Sequence, residues 1–155
     1  MEQDPPNFAF SNGLHVCEVE VYPETGATGL VSYHAVDDIG TVINPLIVEV
    51  ELHGGLAQGV GQALAERTVY DAGQLLSASF MDYAIPRATD LPQFLSETDE
   101  SQPCTHNPLG AKGCGESGTI GAPAAVMSAL LDALQIPDLE MPATPERVWR
   151  AMNPA

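Results

Sequence analysis

Apolar and polar residues alternate along residues 14–22, with Cys17, Val19 and Val21 on one side and Glu18 and Glu20 on the other. A period of two marks a strand with one face turned inward. Pro23-Glu24-Thr25-Gly26 follows as a turn whose glycine is free to take a positive φ. A second apolar run over 30–36 completes a hairpin and ends at Asp37-Asp38, before Gly40. At Asn44-Pro45 the signal changes to a favoured N-cap and a residue suited to the first helical turn, predicting a helix from 45 to about 67. Gly54, Gly55, Gly59 and Gly61 lie inside it, each costing up to about 1 kcal/mol against alanine. Such a loss has two explanations: another backbone packs very close, or a ligand lies against the glycine face.

Further along, 70–74 read as a turn, 75–80 as a short apolar stretch and 94–97 as a short strand, and 98–108 are rich in loop formers. Residues 110–121 hold five glycines, and a helix is predicted from about 122 to 134 with Pro123 in its first turn. The last helix has Thr144 as N-cap and Pro145 at its first position, and runs to 152. The expected fold is α+β, a β-hairpin and short strands packed with about three helices. Residues 1–13 are read as a flexible N-terminal segment and 14–152 as the folded unit.

Charge narrows the partners. Five basic residues stand against 21 acidic ones, a formal charge of −16, which argues against nucleic acid and anionic membranes as partners. No apolar run reaches the roughly 20 residues expected of a bilayer span, and no signal peptide is evident at the start. Cys17, Cys104 and Cys114 form no C-x-x-C pair, which fits a reducing compartment, so a cytoplasmic location is expected.

The candidate chemistry lies in the glycine-rich stretch. Lys112-Gly113-Cys114-Gly115-Glu116-Ser117-Gly118 contains a formal G-x-G-x-x-G. A dinucleotide fingerprint must follow a buried strand, whereas this one follows a polar loop ending at Asn107-Pro108, and Lys112 stands on the wrong side of the glycines for a P-loop. What remains is a carboxylate, Glu116, among residues that let a backbone approach something closely. Confinement would desolvate it and raise its basicity, as a general base requires; a solvated loop glutamate is the plain alternative. His15, His34, His53 and His106 are scattered, so no metal site built from side chains is predicted. His53 reads as packed or hydrogen-bonded, and Asp37-Asp38 as a turn or helix approach rather than a ligand pair. Gln58, on the glycine face, offers an amide to a planar polar ligand or to solvent.

Five blocks carry a resemblance: 38–45 (DIGTVINP), 53–64 (HGGLAQGVGQAL), 80–83 (FMDY), 107–118 (NPLGAKGCGESG) and 141–149 (MPATPERVW). In this order they resemble the late part of the molybdenum-cofactor-binding large subunits of the xanthine oxidase, aldehyde oxidase and carbon monoxide dehydrogenase family, the molybdenum hydroxylases. The resemblance covers about 14–152 and implies the C-terminal part of a molybdopterin-binding domain. It implies that Glu116 is the general base, taking a proton from a molybdenum-bound hydroxyl that attacks an electron-poor carbon. Gln58 would contact the pterin, and Gly113, Cys114 and Gly115 would line its pocket. The implied cofactor is molybdenum-molybdopterin in its cytosine dinucleotide form. The implied partners are the missing N-terminal part of the molybdenum subunit and FAD and iron–sulfur subunits or domains. The implied reaction is oxidation of an aldehyde or N-heteroaromatic carbon with water as oxygen source, by an assembly in which this chain is one component, inactive alone. Two features depart from the family. Val50-Glu51 stand where members commonly have Gly-Gln, and the 155 residues are a fraction of a large subunit. The alternative is a non-catalytic truncated remnant or interaction module that keeps the fold.

Overall fold

The computed structural model describes residues 7–154, so part of the segment read as flexible, 1–6, lies outside the described residues. The predicted hairpin is present and longer at both ends: β1 (Asn12–Tyr22) pairs antiparallel with β2 (Ala27–Asp38) from Asn12↔Asp38 to Tyr22↔Ala27. The Asn12 side-chain amide donates to Asp38 Oδ2 at 3.2 Å, helping to carry the pairing past the alternating stretch. Gly26 closes the turn at φ 72°, where a Cβ would run into the Pro145 carbonyl oxygen and the Trp149 backbone nitrogen. β3 (Tyr70–Asp71) and β4 (Gln74–Leu75) form a small separate hairpin. β5 (Phe94–Asp99) runs two residues further than the expected strand and pairs parallel with β2, giving the order β1-β2-β5.

Three helices complete the α+β fold. α1 (Pro45–Leu64) starts where Asn44 Oδ1 accepts from Ile47 N at 3.3 Å. It stops short of 67 because Ala65 N and Glu66 N both turn back to Gly61 O, at 2.9 and 2.8 Å. α2 (Ser117–Leu134) corrects the expected start at 122. Gly118 and Gly121 fall inside this earlier start, and α1 backbone and the His15 ring occupy the space where their side chains would lie, which is why both positions are glycine. Pro123 therefore lies inside the helix, in its second turn. α3 (Pro145–Met152) begins at Thr144, whose Oγ1 accepts from Arg147 N at 3.4 Å.

The core forms where one face of the sheet meets the helices: Tyr33 and Ala35 from β2, Leu56, Val60 and Ala63 from α1, Ala122, Val126 and Leu130 from α2, and Val148 from α3. Each fully buried aliphatic side chain contributes about 1.5–3 kcal/mol. A smaller cluster, Ile39, Val48 and Leu52, locks the start of α1 to the strand exit. At 18 residues, with Asp132 its only charged residue, α2 is long and apolar enough by length and composition to cross a membrane. It packs against both α1 and β1 on one side, with 28% of its residues buried, and leaves Ile120, Ala124 and Ser128 exposed on the other.

Candidate functional site

The glycines of α1 play different parts, Gly61 alone being crowded by Glu66 and Pro86. A Cβ on Gly118 of α2 would lie 2.5 Å from Leu52 O and 2.8 Å from Leu56 N, and one on Gly55 would lie 3.0 Å from Thr119 N. Gly59 faces Ala122 and Pro123 in the same seam. Close helix packing therefore accounts for Gly55, Gly59 and Gly118. Gly54 has nothing within 4 Å.

That contact links one predicted site residue, Gln58, to the helix that follows Glu116. The Thr119 hydroxyl lies 3.0 Å from Gly55 O and 3.1 Å from Gln58 Oε1, tying the Gln58 amide to α2. One turn earlier, Glu116 occupies the N-cap of α2, where its carboxylate makes no capping bond. Gln58 and Glu116 are both exposed. The burial expected around Glu116 is thus not supplied by this chain's own atoms.

The segment leading to Glu116 is held from three directions. Thr41 N donates to Gly110 O at 2.9 Å, Lys112 N to Ile39 O at 2.8 Å, and Gly113 N to Ala9 O at 3.3 Å. Lys112 Nζ meets Asp38 Oδ2 at 2.6 Å, and Asp38 Oδ1 accepts from Gly40 N at 2.9 Å. The Lys112 ammonium, followed by the Gly40 amide, holds the Asp38 carboxyl below its ordinary range. Asp38 thus has the turn role read from the sequence, plus an ion pair 74 residues away that only the fold reveals. A Cβ on Gly113 or Gly115 would meet its nearest neighbour, Ala9 O or Glu51 Oε2, only at ordinary contact distance, 3.9 and 4.0 Å. Cys114 is half-buried, and its thiol donates to Glu51 Oε2 at 2.9 Å. Burial, then that bond to the Glu51 carboxylate, pushes the thiol up to about 11. The residue at the departing position, Glu51, is therefore in contact with the predicted cofactor loop.

Sequence reasoning missed one polar cluster. His15 Nδ1 lies 2.9 Å from the Tyr33 hydroxyl, and its Nε2 3.5 Å from Asp37 Oδ2. The available signal was the hairpin register, which sets His15 opposite Ala35, between Tyr33 and Asp37 on the same face. His53 is hydrogen-bonded as expected, its Nε2 3.0 Å from Ser96 Oγ. Two concavities are formed by other residues than the predicted ones. A groove of about 500 Å³ runs between β1 and α2, past His15 and Asp37. A hollow of about 880 Å³ lies between the end of α1 and the Phe80–Pro92 stretch, where Tyr83 Oη donates to Glu66 Oε2 at 2.5 Å.

Comparison with known proteins gives this arrangement a context. Residues 1–92 match the family described as "Molybdopterin cofactor-binding domain". The carbon monoxide dehydrogenase large chain of Hydrogenophaga pseudoflava is 40% identical over 155 residues, covering 97% of this chain and 19% of that protein. The nicotine 6-hydroxylase large subunit of Paenarthrobacter nicotinovorans is 45% identical over 146 residues, covering 92% of this chain and 18% of that protein. The crystal structure of quinoline 2-oxidoreductase from Pseudomonas putida 86 superimposes with a TM-score of 0.86 at 42% identity, covering 93% of this chain and 19% of that one. The chain spans less than a fifth of the length of the relatives it matches.

Proposed function

The chain belongs to the molybdopterin cofactor-binding domain family of molybdenum hydroxylases, and on that premise we propose that it is the part of a molybdenum subunit that supplies the general base. The observation that carries this reading is the α1–α2 glycine seam. Through Thr119, it ties Gln58 to the first turn of α2, the helix whose N-cap is Glu116 and which the Gly113–Gly115 segment leads into. In the assembled enzyme Glu116 takes the proton from the attacking oxygen, and the remaining part of the subunit excludes water from its carboxylate. The substrate class is an aldehyde or an N-heteroaromatic carbon; nicotine and quinoline in the names of two relatives support the latter. Residues 14–152 act as one C-terminal unit of the domain in this reading. Three free thiols support a cytoplasmic setting.

The residues present fit a molybdopterin. Gly54 has open space where a Cβ would lie, and Gly113 and Gly115 are not crowded closer than ordinary contact, so a flat ring system can approach their backbone. Gln58 would hold the pterin edge through its amide, while Gly113, Cys114 and Gly115 would line the pocket. When bound, the cofactor supplies the electrophilic metal and the acceptor for the electrons removed from the substrate. The cytosine dinucleotide form, and assembly with FAD and iron–sulfur subunits, belong to the same proposal.

A Glu116→Gln variant in the reconstituted assembly tests the base. Turnover is expected to fall by about 10²–10⁴-fold with molybdenum content unchanged; unaltered turnover would remove the assignment. Alone, the chain is expected to hold little molybdenum and turn nothing over. Near-stoichiometric molybdenum with dye-linked dehydrogenase activity in the purified chain would contradict that. One observation favours the non-catalytic alternative, the exposed Glu116. An assembly that forms with full metal content and equal activity with and without this chain's carboxylate would select it.

A further inference from the structure

The free edge of β1 is not used by the site described above. β1 is 11 residues long, and the order β1-β2-β5 leaves its outer side without a partner strand among the described residues. A long unpaired edge presents a row of backbone donors and acceptors, a template for one more strand. The groove of about 500 Å³ lies against β1, walled by Gly121, Ala124 and Ser128 of α2. Ile120, Ala124 and Ser128 follow one another at helical spacing and are all exposed, Ile120 at 72%. Small side chains on this wall leave room for an extended backbone. Asp37 also lines the groove; it is 2% exposed, and its Oδ2 has no hydrogen-bond partner. His15 Nε2, at 3.5 Å, is too distant to serve as one. A buried carboxylate oxygen left in this state calls for a donor from whatever fills the groove.

We propose that the groove seats an extended strand from the portion of the molybdenum subunit that has no counterpart in this chain. The strand pairs with β1, covers the Ile120-Ala124-Ser128 stripe and donates a hydrogen bond to Asp37. This rests on reading the chain as the C-terminal part of such a subunit. The occupant follows from length: 97% of this chain matches only 19% of the Hydrogenophaga pseudoflava protein. A second copy is a poor occupant, because it sets a formal charge of −16 against the same charge.

The test is co-expression of this chain with the Hydrogenophaga pseudoflava large chain from which the matching stretch has been deleted. The two are expected to co-elute as a complex in which β1 amides exchange at least about tenfold more slowly than in the free chain. Ala124→Arg and Ser128→Arg, on exposed helix positions that tolerate arginine, are expected to cut co-purification at least about tenfold. Their own circular dichroism should be unchanged. Failure to co-elute overturns the proposal, as does a complex whose β1 amides exchange at the free-chain rate, or arginine variants that join equally well. Concentration-dependent protection of β1 in the free chain would make a second copy the occupant, and also overturns it. Molybdenum content and the Glu116→Gln turnover are read separately. A complex with protected β1 but no molybdenum upholds the docking while counting against the catalytic reading.

Discussion

Two glycine-to-alanine changes, one at Gly118 and one at Gly54, should move stability in opposite directions. Both glycines are helical, so alanine returns up to about 1 kcal/mol of propensity at each. At Gly54 nothing lies within 4 Å of the added carbon, so that gain is realised in full. At Gly118 the carbon would sit 2.5 Å from Leu52 O and 2.8 Å from Leu56 N, against ordinary contact at 3.4 Å or more. Those atoms are α1 backbone and cannot rotate away, so α1 must retreat by nearly 1 Å. Leu52 and Leu56, 1% and 0% exposed, then lose close packing. Overpacking of this kind costs about 1–3 kcal/mol, and the rigid neighbours place it at the upper end. The net loss is about 2 kcal/mol after the propensity gain. For a chain of this size each kcal/mol is worth about 2–4 °C. Gly118→Ala should therefore melt about 4–8 °C lower and Gly54→Ala about 2–4 °C higher, by calorimetry or circular dichroism on the purified chain. Equal shifts for the two variants, or a Gly118→Ala protein as stable as its parent, would refute the packing argument.

Lys112→Met strips the cation from Asp38, which keeps the Gly40 and Asn12 donors. A loss of about 3 kcal/mol is expected at pH 7, the low end for a broken buried pair. Because the Asp38 carboxyl is held below its ordinary value, the pair's contribution is complete above about 3.8 and is lost as pH falls through the folded value. Urea midpoints of parent and variant should converge on acidification, and a gap of constant size would count against the ion pair. Cys17 and Cys114 are each raised from 9.0 to about 11, chiefly by burial. Between those values the unfolded chain has already released protons that the folded chain retains, so stability falls as pH rises from about 9 to about 11. A Cys17→Ala, Cys114→Ala double variant should show a shallower decline over that window, and an unchanged slope would rule the thiols out as its source. Glu51→Gln removes the carboxylate beside Cys114, and alkylation of that thiol at pH 9 should become faster. An unaltered rate would mean the Glu51 contact has no influence on it.

Local pattern was enough for the hairpin, the start of α1 and the whole of α3. Alternation in β1 and the caps at Asn44-Pro45 and Thr144-Pro145 are short-range signals that neighbouring residues satisfy by themselves. Motif order likewise carried the family and the candidate residues Gln58 and Glu116. Other features depend on elements distant along the chain. Glycine is the same residue at 54, 55 and 118, and only the neighbours decide which are packed against a helix and which face open space. That Gly118 must lack a side chain follows from α1 backbone filling the space beside it, a contact that no local propensity encodes. The Asp38–Lys112 pair and the parallel joining of β5 to β2 bridge long loops, so they arise only when burial of the shared core brings those segments together. Helix and turn propensities act over a few residues, whereas contacts between two helices and a distant loop are a property of their packing.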